Sequence, residues 1–561
     1  MKSQHDARRS NKMTSETIAT DQDAIIVGAG LGGLRTMIEL RKLGISFRCF
    51  EAGDGIGGTW FWNRYPGART DSESWTYCYQ FDRELFEEWD WHDRFPGQVE
   101  VENYLNFVAD RFDLRKDIQL GATVKGATFD EDSSTWTVTL EDGTTSTSRY
   151  FIVAGGPLAA RYTPDLKGID DFGGTWVHTS RWPEGGIDVR GKRVGIVGTG
   201  ATGVQLIPEL AKEAANVTVF QRTPNYVIPA RNHPLSDTDR RSLKADADRI
   251  SNVVREHWFG MDLGMAGRLT TDVTPEEQQK ILEWGWEIGG FHFIFETFDD
   301  IFLTHEANEV VAEFVRNKIR QIVKDPETAE KLAPKGYPIA SKRVPLGHYY
   351  YEAYNRPNVD LVDVSENALA EATSSGITLA DGTHYDVDIL VFATGFDAST
   401  GSITRMDIRG RDGLTIQESW AEGAQTHLGV ATKGFPNLFM VFGPQTPFAN
   451  FPPVAENIVE FLSQALTHLE ESGAATMEAT QEAMDEWAEH LDVLLNALVL
   501  SEGERVRSWF VGANIPGKPH KVLFHFGGVA AYCASTQAVI DEGWKGFVFE
   551  GSSAKKDAVP A

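Results

Sequence analysis

The sequence predicts an α/β fold with two Rossmann-like dinucleotide-binding domains and a helical insertion. Two glycine-rich loops lead to this prediction, because each follows a short apolar strand, opens a helix and is followed by a second strand. A long amphipathic helical pattern over residues 309–324 indicates the insertion. The chain has 561 residues, which is enough for several domains of roughly 150 residues each.

The first glycine-rich loop predicts a site for a dinucleotide with a free 2′-hydroxyl group, either FAD or NAD. Residues 24–27 form an apolar run that is typical of a buried parallel strand, and a second strand at 47–50 ends at Glu51. The carboxylate of Glu51 can accept hydrogen bonds from both ribose hydroxyls of an adenosine. The helix N-terminus faces the pyrophosphate, and three glycines permit the tight turn and the close approach: Gly28, Gly30 and Gly33.

The same pattern recurs 170 residues later with one informative change. From the first glycine to the end of the second strand there are 23 residues in both units, but Gln221 stands where the first unit has Glu51. Arg222 and Thr223 come next, and a guanidinium can pair with a 2′-phosphate that a carboxylate would repel. The second unit is therefore expected to bind NADP through a loop that contains Gly198, Gly200, Thr202 and Gly203.

A third marker strengthens the interpretation as a flavoprotein. The strand that runs into Ala393, Thr394 and Gly395 resembles the second nucleotide motif of two-domain flavoproteins. The earlier counterpart at 154–156 departs from that motif, since Gly155 stands at the threonine position. Two dinucleotide sites in one chain suggest a flavoprotein that takes hydride from NADPH, so FAD and NADPH are the expected cofactors and no metal is expected.

Two long motifs resemble signatures of the type I Baeyer–Villiger monooxygenases. Residues 57–71 match the pattern Gly-Gly-x-Trp…Tyr-Pro-Gly-x-x-x-Asp, and residues 172–183 match Phe-x-Gly-x-x-x-His-x-x-x-Trp-Pro without a gap. A late segment at 509–518 also matches. The resemblance extends from about residue 22 to about residue 548, and the cyclohexanone monooxygenase branch is the most similar.

The resemblance implies an enzyme that converts ketones to esters or lactones with NADPH and O2, through a C4a-peroxyflavin. The expected partners are a small-molecule ketone and O2. The stretch at 443–451 has the compact length seen in the cyclic-ketone enzymes of this family, so the resemblance favours a cyclic ketone. The main alternative is a flavin monooxygenase that oxygenates nitrogen or sulfur, and a second is a nucleotide-binding redox sensor without turnover. The histidine signature and Arg343 argue against the first alternative, and the presence of both Asp71 and Arg343 argues against the second.

Functional residues of the family can be carried over one by one. Arg343 resembles the catalytic arginine, although Ala340-Ser341 stands where the family usually has Gly-Thr, and Asp71 resembles the carboxylate that orients it. Arginine suits this role because it stays charged beside a peroxide anion or an oxyanion. The expected FAD contacts are Glu51, Thr59, Trp60, Asp71, Tyr77, Val124 and Phe451. The expected 2′-phosphate contacts of NADP are Arg222, Thr223 and Lys342, and Trp509 resembles a tryptophan that closes over NADP. The wider set of expected cofactor contacts adds Arg69, Thr202, Gln205 and Arg343 itself.

His178 belongs to the second motif, and two roles stay open for it. A histidine between two domains often makes structural hydrogen bonds, and we weigh that role more heavily than a direct catalytic one.

The order of these motifs along the chain predicts a discontinuous domain organisation. A mobile loop near 487–518 is expected to order over NADP. The segments are a disordered tail at 1–21, the first part of the FAD domain at 22–155, the first part of the NADP domain at 156–230, the helical insertion at 231–334, the second part of the NADP domain at 335–394, the second part of the FAD domain at 395–550, and a tail at 551–561.

Charge and cysteine content exclude several other classes of protein. The formal charge of −28 repels nucleic acid and anionic lipid, so neither nucleic acid nor a membrane is an expected partner. The 3 cysteines include no Cys-x-x-Cys pair, which argues against a disulfide reductase. We expect a cytoplasmic protein, for which a monomer is plausible.

Overall fold

The computed structural model describes residues 20–551. The predicted tails at 1–21 and 551–561 therefore lie almost entirely outside the described residues. Two mainly parallel sheets form the centres of the two nucleotide-binding units, which confirms the predicted α/β fold class. Within residues 20–551, no helix is both long and apolar enough to cross a membrane.

The larger sheet is built around the strand that precedes the first glycine-rich loop. This strand, Gln22–Val27, pairs in parallel with Phe47–Phe50 on one side and with Thr145–Val153 on the other. Leu438–Met440 returns from the last third of the chain and pairs in parallel with Thr145–Val153. The remaining strands of this sheet are Ile118–Gln119, Val124–Asp130, Thr135–Leu140 and Asp407–Arg409.

Three helices cover the larger sheet and bury its apolar side chains. Leu31–Lys42 follows the first loop and packs against Phe451–Ser472, which begins at two prolines that suit the first turn of a helix. Gln98–Arg111 also packs against Leu31–Lys42. The shorter helices of this half are Thr59–Trp62, Arg83–Glu88, Gly401–Thr404 and Ile416–Ser419.

The second sheet has five parallel strands around the second glycine-rich loop. Their order is Val359–Asp363, Asn216–Gln221, Arg193–Val197, Ile389–Phe392 and Thr175–His178. The helix Ala201–Leu210 follows the loop. A small antiparallel sheet lies beside these strands and contains Leu369–Ala372, Gly376–Leu379 and His384–Asp386.

The segment between the two parts of the second unit is helical. Its longest helix runs from His305 to Ile322 and therefore begins four residues before the predicted pattern. The reason is an N-cap, since the Thr304 side chain accepts a hydrogen bond from the Ala307 amide. The other helices here are Asp237–Ala245, Ala247–Glu256, Pro275–Ile288, His292–Phe295 and Pro326–Leu332. Nearby short elements are Tyr350–Ala353 and the paired strands Ile228–Pro229 and Leu346–Gly347.

The predicted start of the loop at 487–518 is wrong, because its first ten residues belong to a helix. Residues 481–496 form the helix Gln481–Asn496, with the Thr480 side chain as its N-cap. Buried apolar side chains recur at helical spacing within it, at Met484, Trp487, Leu491 and Leu495. The rest of the segment contains two 3-10 turns, Val499–Val506 and Trp509–Val511. The chain then forms the helix Gly528–Asp541, and the strand Phe547–Glu550 pairs with Thr476–Ala479.

Candidate active site

The first glycine-rich loop is shaped by contacts that exclude side chains. Gly28 has φ +100°, and a Cβ atom there would lie 2.7 Å from the Ala154 carbonyl oxygen. A Cβ on Gly33 would lie 1.9 Å from the Gly28 carbonyl oxygen, so this glycine allows the helix to pack on the loop. Gly30 precedes the first residue of the helix and lies against Gly58. The loop thus presents bare backbone at a helix N-terminus, which fits the pyrophosphate of FAD.

Glu51 closes this first site at the end of the second strand. Its buried carboxylate accepts hydrogen bonds from the backbone amides of Ala29 at 2.7 Å and Gly53 at 2.8 Å. Burial raises the pKa of Glu51, while these two hydrogen bonds oppose that shift. Val124 begins a neighbouring strand, two residues after Ala122 donates its amide to the Glu51 carbonyl. Glu51 and Val124 therefore lie at the same end of the site.

The second loop repeats the backbone geometry of the first but is more open. Gly198 has φ +110°, and a Cβ there would lie 2.6 Å from the Ala393 carbonyl oxygen. A Cβ on Gly203 would lie 2.3 Å from the Gly198 carbonyl oxygen. In contrast to Gly30, Gly200 has no atom within 4 Å of its Cβ position. The N-terminus of Ala201–Leu210 thus faces a cleft that we call the nucleotide cleft. Its lining includes Gly198, Gly200, Thr202, Arg222, Thr223, Lys342, Arg343, Arg507 and Trp509.

The end of the nucleotide cleft is cationic. Gln221 turns away from it, since its Nε2 atom donates to the Lys331 carbonyl at 2.8 Å. Burial and the neighbouring Arg222 lower the pKa of Lys342 to about 8. Burial also lowers the pKa of Arg222, with a further contribution from the charge of Arg507. These positive charges fit a 2′-phosphate. Sequence reasoning missed Arg507, which belongs to no motif and is placed there only by the tertiary fold.

Arg343 and Asp71 meet although they are 272 residues apart in sequence. The Arg343 Nη1 atom donates to the Asp71 Oδ2 atom at 2.5 Å. The Asp71 side chain is 6% exposed and the Arg343 side chain is 33% exposed. Burial raises the pKa of Asp71, and the positive charge of Arg343 opposes this shift. Ala340, three residues earlier, has φ +75°, a conformation that glycine adopts at lower cost.

Arg343 and Asp71 lie in a second space between the two units, which we call the central cavity. Trp60 and Tyr77 border it, and the indole Nε1 atom of Trp60 donates to the Tyr77 hydroxyl oxygen at 3.2 Å. Ten of the predicted site residues line this cavity: Thr59, Trp60, Arg69, Asp71, Tyr77, Thr202, Gln205, Arg343, Phe451 and Trp509. Thr202, Arg343 and Trp509 also line the nucleotide cleft, so the two spaces meet at these residues.

Gln205, in the helix after the second loop, makes hydrogen bonds to the segment that carries Asp71. Its Oε1 atom accepts a hydrogen bond from the Tyr65 hydroxyl at 2.8 Å, and its Nε2 atom donates to the Arg69 carbonyl at 3.0 Å. The amide group is thus already engaged by the segment that carries Asp71. Tyr65 was not predicted as a site residue, although it stands in the first motif.

Eight aromatic side chains line the central cavity together, and we call them the aromatic wall. They come from the helical insertion, from the start of the helix at Phe451 and from the C-terminal segment. The rings of Phe448 and Phe510 are 4.5 Å apart, and those of Phe448 and Trp509 are 5.6 Å apart. The wall contains Trp258, Phe259, Phe291, Phe295, Phe302, Phe448, Phe510 and Phe526. A cavity lined by aromatic side chains together with one charged pair can hold an apolar molecule with one polar group directed at Arg343.

Polar contacts hold the segment that carries Trp509 against the residues that follow the strand Ile389–Phe392. Lys518 Nζ lies 2.5 Å from Asp397 Oδ1, and Asn514 Nδ2 donates to the Phe396 carbonyl at 2.8 Å. Both partners follow directly after the Ala-Thr-Gly marker. Trp509 therefore lies at the junction of the cavity and the cleft.

His178 lines neither space. Its Nδ1 atom is 2.9 Å from Ser180 Oγ, and its Nε2 atom is 3.2 Å from the Gly395 carbonyl oxygen. The ring is buried, and burial lowers the pKa of His178 to about 4. This geometry favours the structural role. Within residues 20–551, no group of three histidine, cysteine, aspartate or glutamate residues is placed to hold a metal ion.

Comparisons with known proteins point to one family. Residues 21–234 match the family model described as flavin-binding monooxygenase-like. A Baeyer–Villiger monooxygenase of Pseudooceanicola batsensis is 41% identical over 543 residues, which cover 96% of this chain and 98% of that protein. A phenazine N-monooxygenase of Lysobacter antibioticus is 42% identical, over 94% of this chain and 97% of its own. The crystal structure of cyclohexanone monooxygenase from Rhodococcus sp. Phi1 bound to NADP+ superposes with a TM-score of 0.91 at 41% identity, over 95% of this chain and 99% of that one.

Proposed function

The chain belongs to the type I Baeyer–Villiger monooxygenase family, and we propose on that premise how its own residues serve the reaction. The enzyme depends on FAD and NADPH, and it converts ketones to esters or lactones with O2. When bound, FAD transfers reducing equivalents from NADPH to O2 and supplies one oxygen atom to the ketone. The roles of individual residues in this reaction are proposals.

We propose that the first loop and Glu51 hold the adenosine end of FAD. Bare backbone at Gly28 and Gly30 supports pyrophosphate binding, and the spare lone pairs of the Glu51 carboxylate support ribose binding. Trp60, Tyr77 and Phe451 line the central cavity, which supports a role in holding the flavin ring at the other end.

Arg343 is the proposed catalytic cation. Negative charge develops on the carbonyl oxygen when an oxygen nucleophile adds to a ketone, and a fixed guanidinium stabilises that charge. The observation that carries this assignment is the contact of Arg343 with buried Asp71 where cavity and cleft meet. Asp71 holds one Nη atom and so directs the rest of the guanidinium into the cavity. Loss of such a group typically lowers the rate by about a hundredfold to a thousandfold.

The replacement Arg343→Ala tests this assignment. We expect the FAD-loaded variant to oxidise NADPH and to bleach its flavin in the absence of O2, because the loops are unchanged. Ester formation from a ketone is expected to fall at least a hundredfold. Arg405→Ala is the matched control, since its guanidinium makes an exposed hydrogen bond to the Arg161 carbonyl and Arg405 is not among the residues that line the cavity or the cleft. Ester formation by Arg343→Ala at the wild-type rate would refute the role.

For NADP, the proposed 2′-phosphate ligands are Arg222, Thr223 and Lys342, with Trp509 closing over the nicotinamide side. The cationic end of the cleft supports the first set, and the position of Trp509 between cleft and cavity supports the second. Gln205 and Arg69 have a different proposed role. Their mutual contact and the contact with Tyr65 support positioning of the two units rather than direct catalysis.

The class of ketone that the enzyme accepts is also a proposal. The aromatic wall supports an apolar substrate, and the compact stretch at 443–451 supports a cyclic one. A panel of small-ring, large-ring, aryl and linear ketones, scored by product identification, tests this. Oxygenation at nitrogen has less support, because it gives the Arg343–Asp71 pair no oxyanion to stabilise, although one relative is a phenazine N-monooxygenase. Phenazine and a thioether belong in the panel, and a product from these alone would favour the alternative.

Domain limits, location and partners are also proposals. Strands of the larger sheet come from residues 22–153 and 407–440, and those of the second sheet from 175–392, which supports the discontinuous division. Free thiols at Cys49, Cys78 and Cys533 support a reducing compartment such as the cytoplasm. The formal charge of −28 supports a lack of nucleic-acid binding, and a monomer is the proposed state.

A further inference from the structure

Three cations converge at one end of the nucleotide cleft without a carboxylate partner. Arg222, Lys342 and Arg507 all line the cleft, and Arg222 and Arg507 also line the groove beside it. Among residues 20–551, no aspartate or glutamate lies within ion-pair distance of any of the three. Nearby cations do have such partners: Arg505 lies 2.9 Å from Glu502, and Lys518 lies 2.5 Å from Asp397.

The unpaired state of these cations is unfavourable unless an anion joins them. Burial lowers the pKa of Arg222, and the charge of Arg507 lowers it further. Lys342 is affected in the same way by burial and by Arg222. Mutual repulsion in a partly buried place indicates a site for a group with at least one negative charge. Glu502 and Glu504 line the adjacent groove and Asp165 lines the cleft, but none of them lies within ion-pair distance of the three cations. In a protein with a formal charge of −28, such an unpaired cluster is a local exception.

The backbone around Arg507 fixes this geometry. Arg507 has φ +53° and ψ 51°, a left-handed conformation that is costly for a residue with a long side chain. Its amide donates to the Glu504 carbonyl at 2.9 Å, and the Ser508 amide donates to the Gly503 carbonyl at 2.8 Å. The turn also packs closely on the segment that carries Lys342, since a Cβ on Gly503 would lie 3.3 Å from the Ser341 carbonyl oxygen. The fold thus stabilises a strained residue that faces the cleft.

We propose that Arg507 is a second guanidinium ligand of the NADP 2′-phosphate, supplied by the segment that carries Trp509. This inference rests on the proposed NADP site at Arg222. It also has a consequence for the segment 499–518. The contact between Arg507 and the 2′-phosphate holds this segment against the cleft, and Trp509 is only two residues away from Arg507. NADP+ and NAD+ therefore differ in how far they order this segment, as well as in affinity.

Equilibrium binding to the FAD-loaded enzyme tests the ligand role. We expect Arg507→Gln to raise the Kd of NADP+ by about tenfold to a hundredfold, as is typical for loss of a charge-assisted hydrogen bond, and the Kd of NAD+ by less than about threefold. Arg505→Gln is the matched control, because it removes the same charge from a side chain already paired with Glu502. Adenosine 2′,5′-bisphosphate and 5′-AMP serve as probes, and only the first is expected to bind more weakly to Arg507→Gln.

Hydrogen exchange of peptides from 499–518 tests the consequence for the segment. NADP+ is expected to slow exchange in the wild type and in Arg505→Gln, but much less in Arg507→Gln, even at saturating NADP+. NAD+ is expected to protect the segment weakly in all three. If Arg507→Gln loses NADP+ and NAD+ affinity equally, or exchanges faster than the wild type without any nucleotide, its role is structural and the inference is wrong.

Arg222→Gln separates this inference from the proposed function. If Arg222→Gln weakens NADP+ binding and Arg507→Gln does not, the inference fails while the proposed NADP site stands. If neither replacement changes the Kd of NADP+, the 2′-phosphate site itself is misplaced and both fail.

Discussion

The two glycine-rich loops have the same backbone design but different surroundings. Gly28 and Gly198 have φ angles of +100° and +110°. Gly28 approaches the carbonyl of Ala154 and Gly198 that of Ala393, and each of these residues directly follows a parallel strand of the same sheet. The first loop is covered by Gly58 and followed by a buried carboxylate at Glu51. The second has open space at Gly200 and cations at its strand end. We infer that the shared geometry serves phosphate binding in both proposed sites, whereas cover and charge distinguish the proposed site for a resident cofactor from the proposed site for one that exchanges.

Replacement of the first glycine in each loop has the largest expected effects, and it tests directly whether the two loops serve different cofactors. Alanine at either position meets a carbonyl oxygen at less than 3 Å and a positive φ, with a cost of about 2 kcal/mol or more. We expect Gly28→Ala to prevent FAD loading, measured as flavin absorbance per chain after purification. Gly198→Ala is expected to keep FAD and to lose NADPH-dependent flavin reduction. A Gly198→Ala protein without FAD would mean that the two units do not fold independently.

Replacement of Arg222 tests whether the difference in charge between the two sites determines which nucleotide binds. Arg222→Gln is expected to raise the KM for NADPH by about tenfold to a hundredfold, because it removes a charge-assisted contact to the 2′-phosphate. The KM for NADH, which lacks this phosphate, is expected to change less than about threefold. Steady-state kinetics with both nucleotides gives the ratio. Equal effects on both would place the phosphate elsewhere.

The first unit contains a second buried carboxyl group that makes stability depend on pH. Glu456 accepts the backbone amides of Gln80 at 2.6 Å and Phe81 at 3.1 Å, and burial raises its pKa to about 7. The ordinary pKa of a glutamate, 4.5, applies in the unfolded chain, so the folded protein holds this proton more tightly. The free energy of unfolding therefore decreases as the pH rises from about 4.5 to 7. Glu456→Gln is expected to stabilise the protein at pH 8 by about 2 kcal/mol and little at pH 5.

Thermal unfolding of the FAD-loaded Glu456→Gln protein at both pH values measures this difference. Glu470→Gln, near the end of the same helix, is the control, since its carboxylate pairs with Arg149 and is half-exposed. An equal effect of Glu456→Gln at the two pH values would contradict the raised pKa.

In the second unit, a buried amine makes ligand affinity depend on pH. Burial and the charge of Arg222 lower the pKa of Lys342 to about 8. The other charged groups that line the cleft are Asp165, Arg343 and Arg507. A bound phosphate favours the charged amine, so NADP+ affinity is present below about pH 8 and declines above it, by less than about tenfold. Lys342→Met is expected to bind NADP+ weakly at all pH values and to remove this decline. Titration of the FAD-loaded enzyme with NADP+ between pH 7 and pH 9 measures it.

The sequence was sufficient for features that depend on local patterns. Both loops, Glu51, the Gln221-Arg222 change and the Asp71 and Arg343 motifs could be identified because each lies in a short segment with its own backbone or charge requirement. The helix Gln481–Asn496 was not predicted, because residues from 487 onward were assigned to a loop, although Met484, Trp487 and Leu491 recur at helical spacing.

Contacts between distant segments could not be predicted in this way. The Tyr65–Gln205 hydrogen bond joins residues 140 apart, and Arg507 reaches Arg222 only because the turn at Gly503 packs on Ser341. The aromatic wall draws single residues from three segments, none of which forms a motif. These features follow from how the two units pack together, which a single sequence does not specify locally.

The oxygen balance of one turnover tests the central claim most directly. The FAD-loaded enzyme is mixed with one equivalent of NADPH, a cyclic ketone and isotopically labelled O2, and the products are identified by mass spectrometry. The account predicts one ester or lactone per NADPH, with one labelled oxygen in the ring or chain and the other in water. Recovery of unchanged ketone across the panel, with NADPH oxidised quantitatively to NADP+ and an equal amount of O2 reduced to hydrogen peroxide, would contradict it.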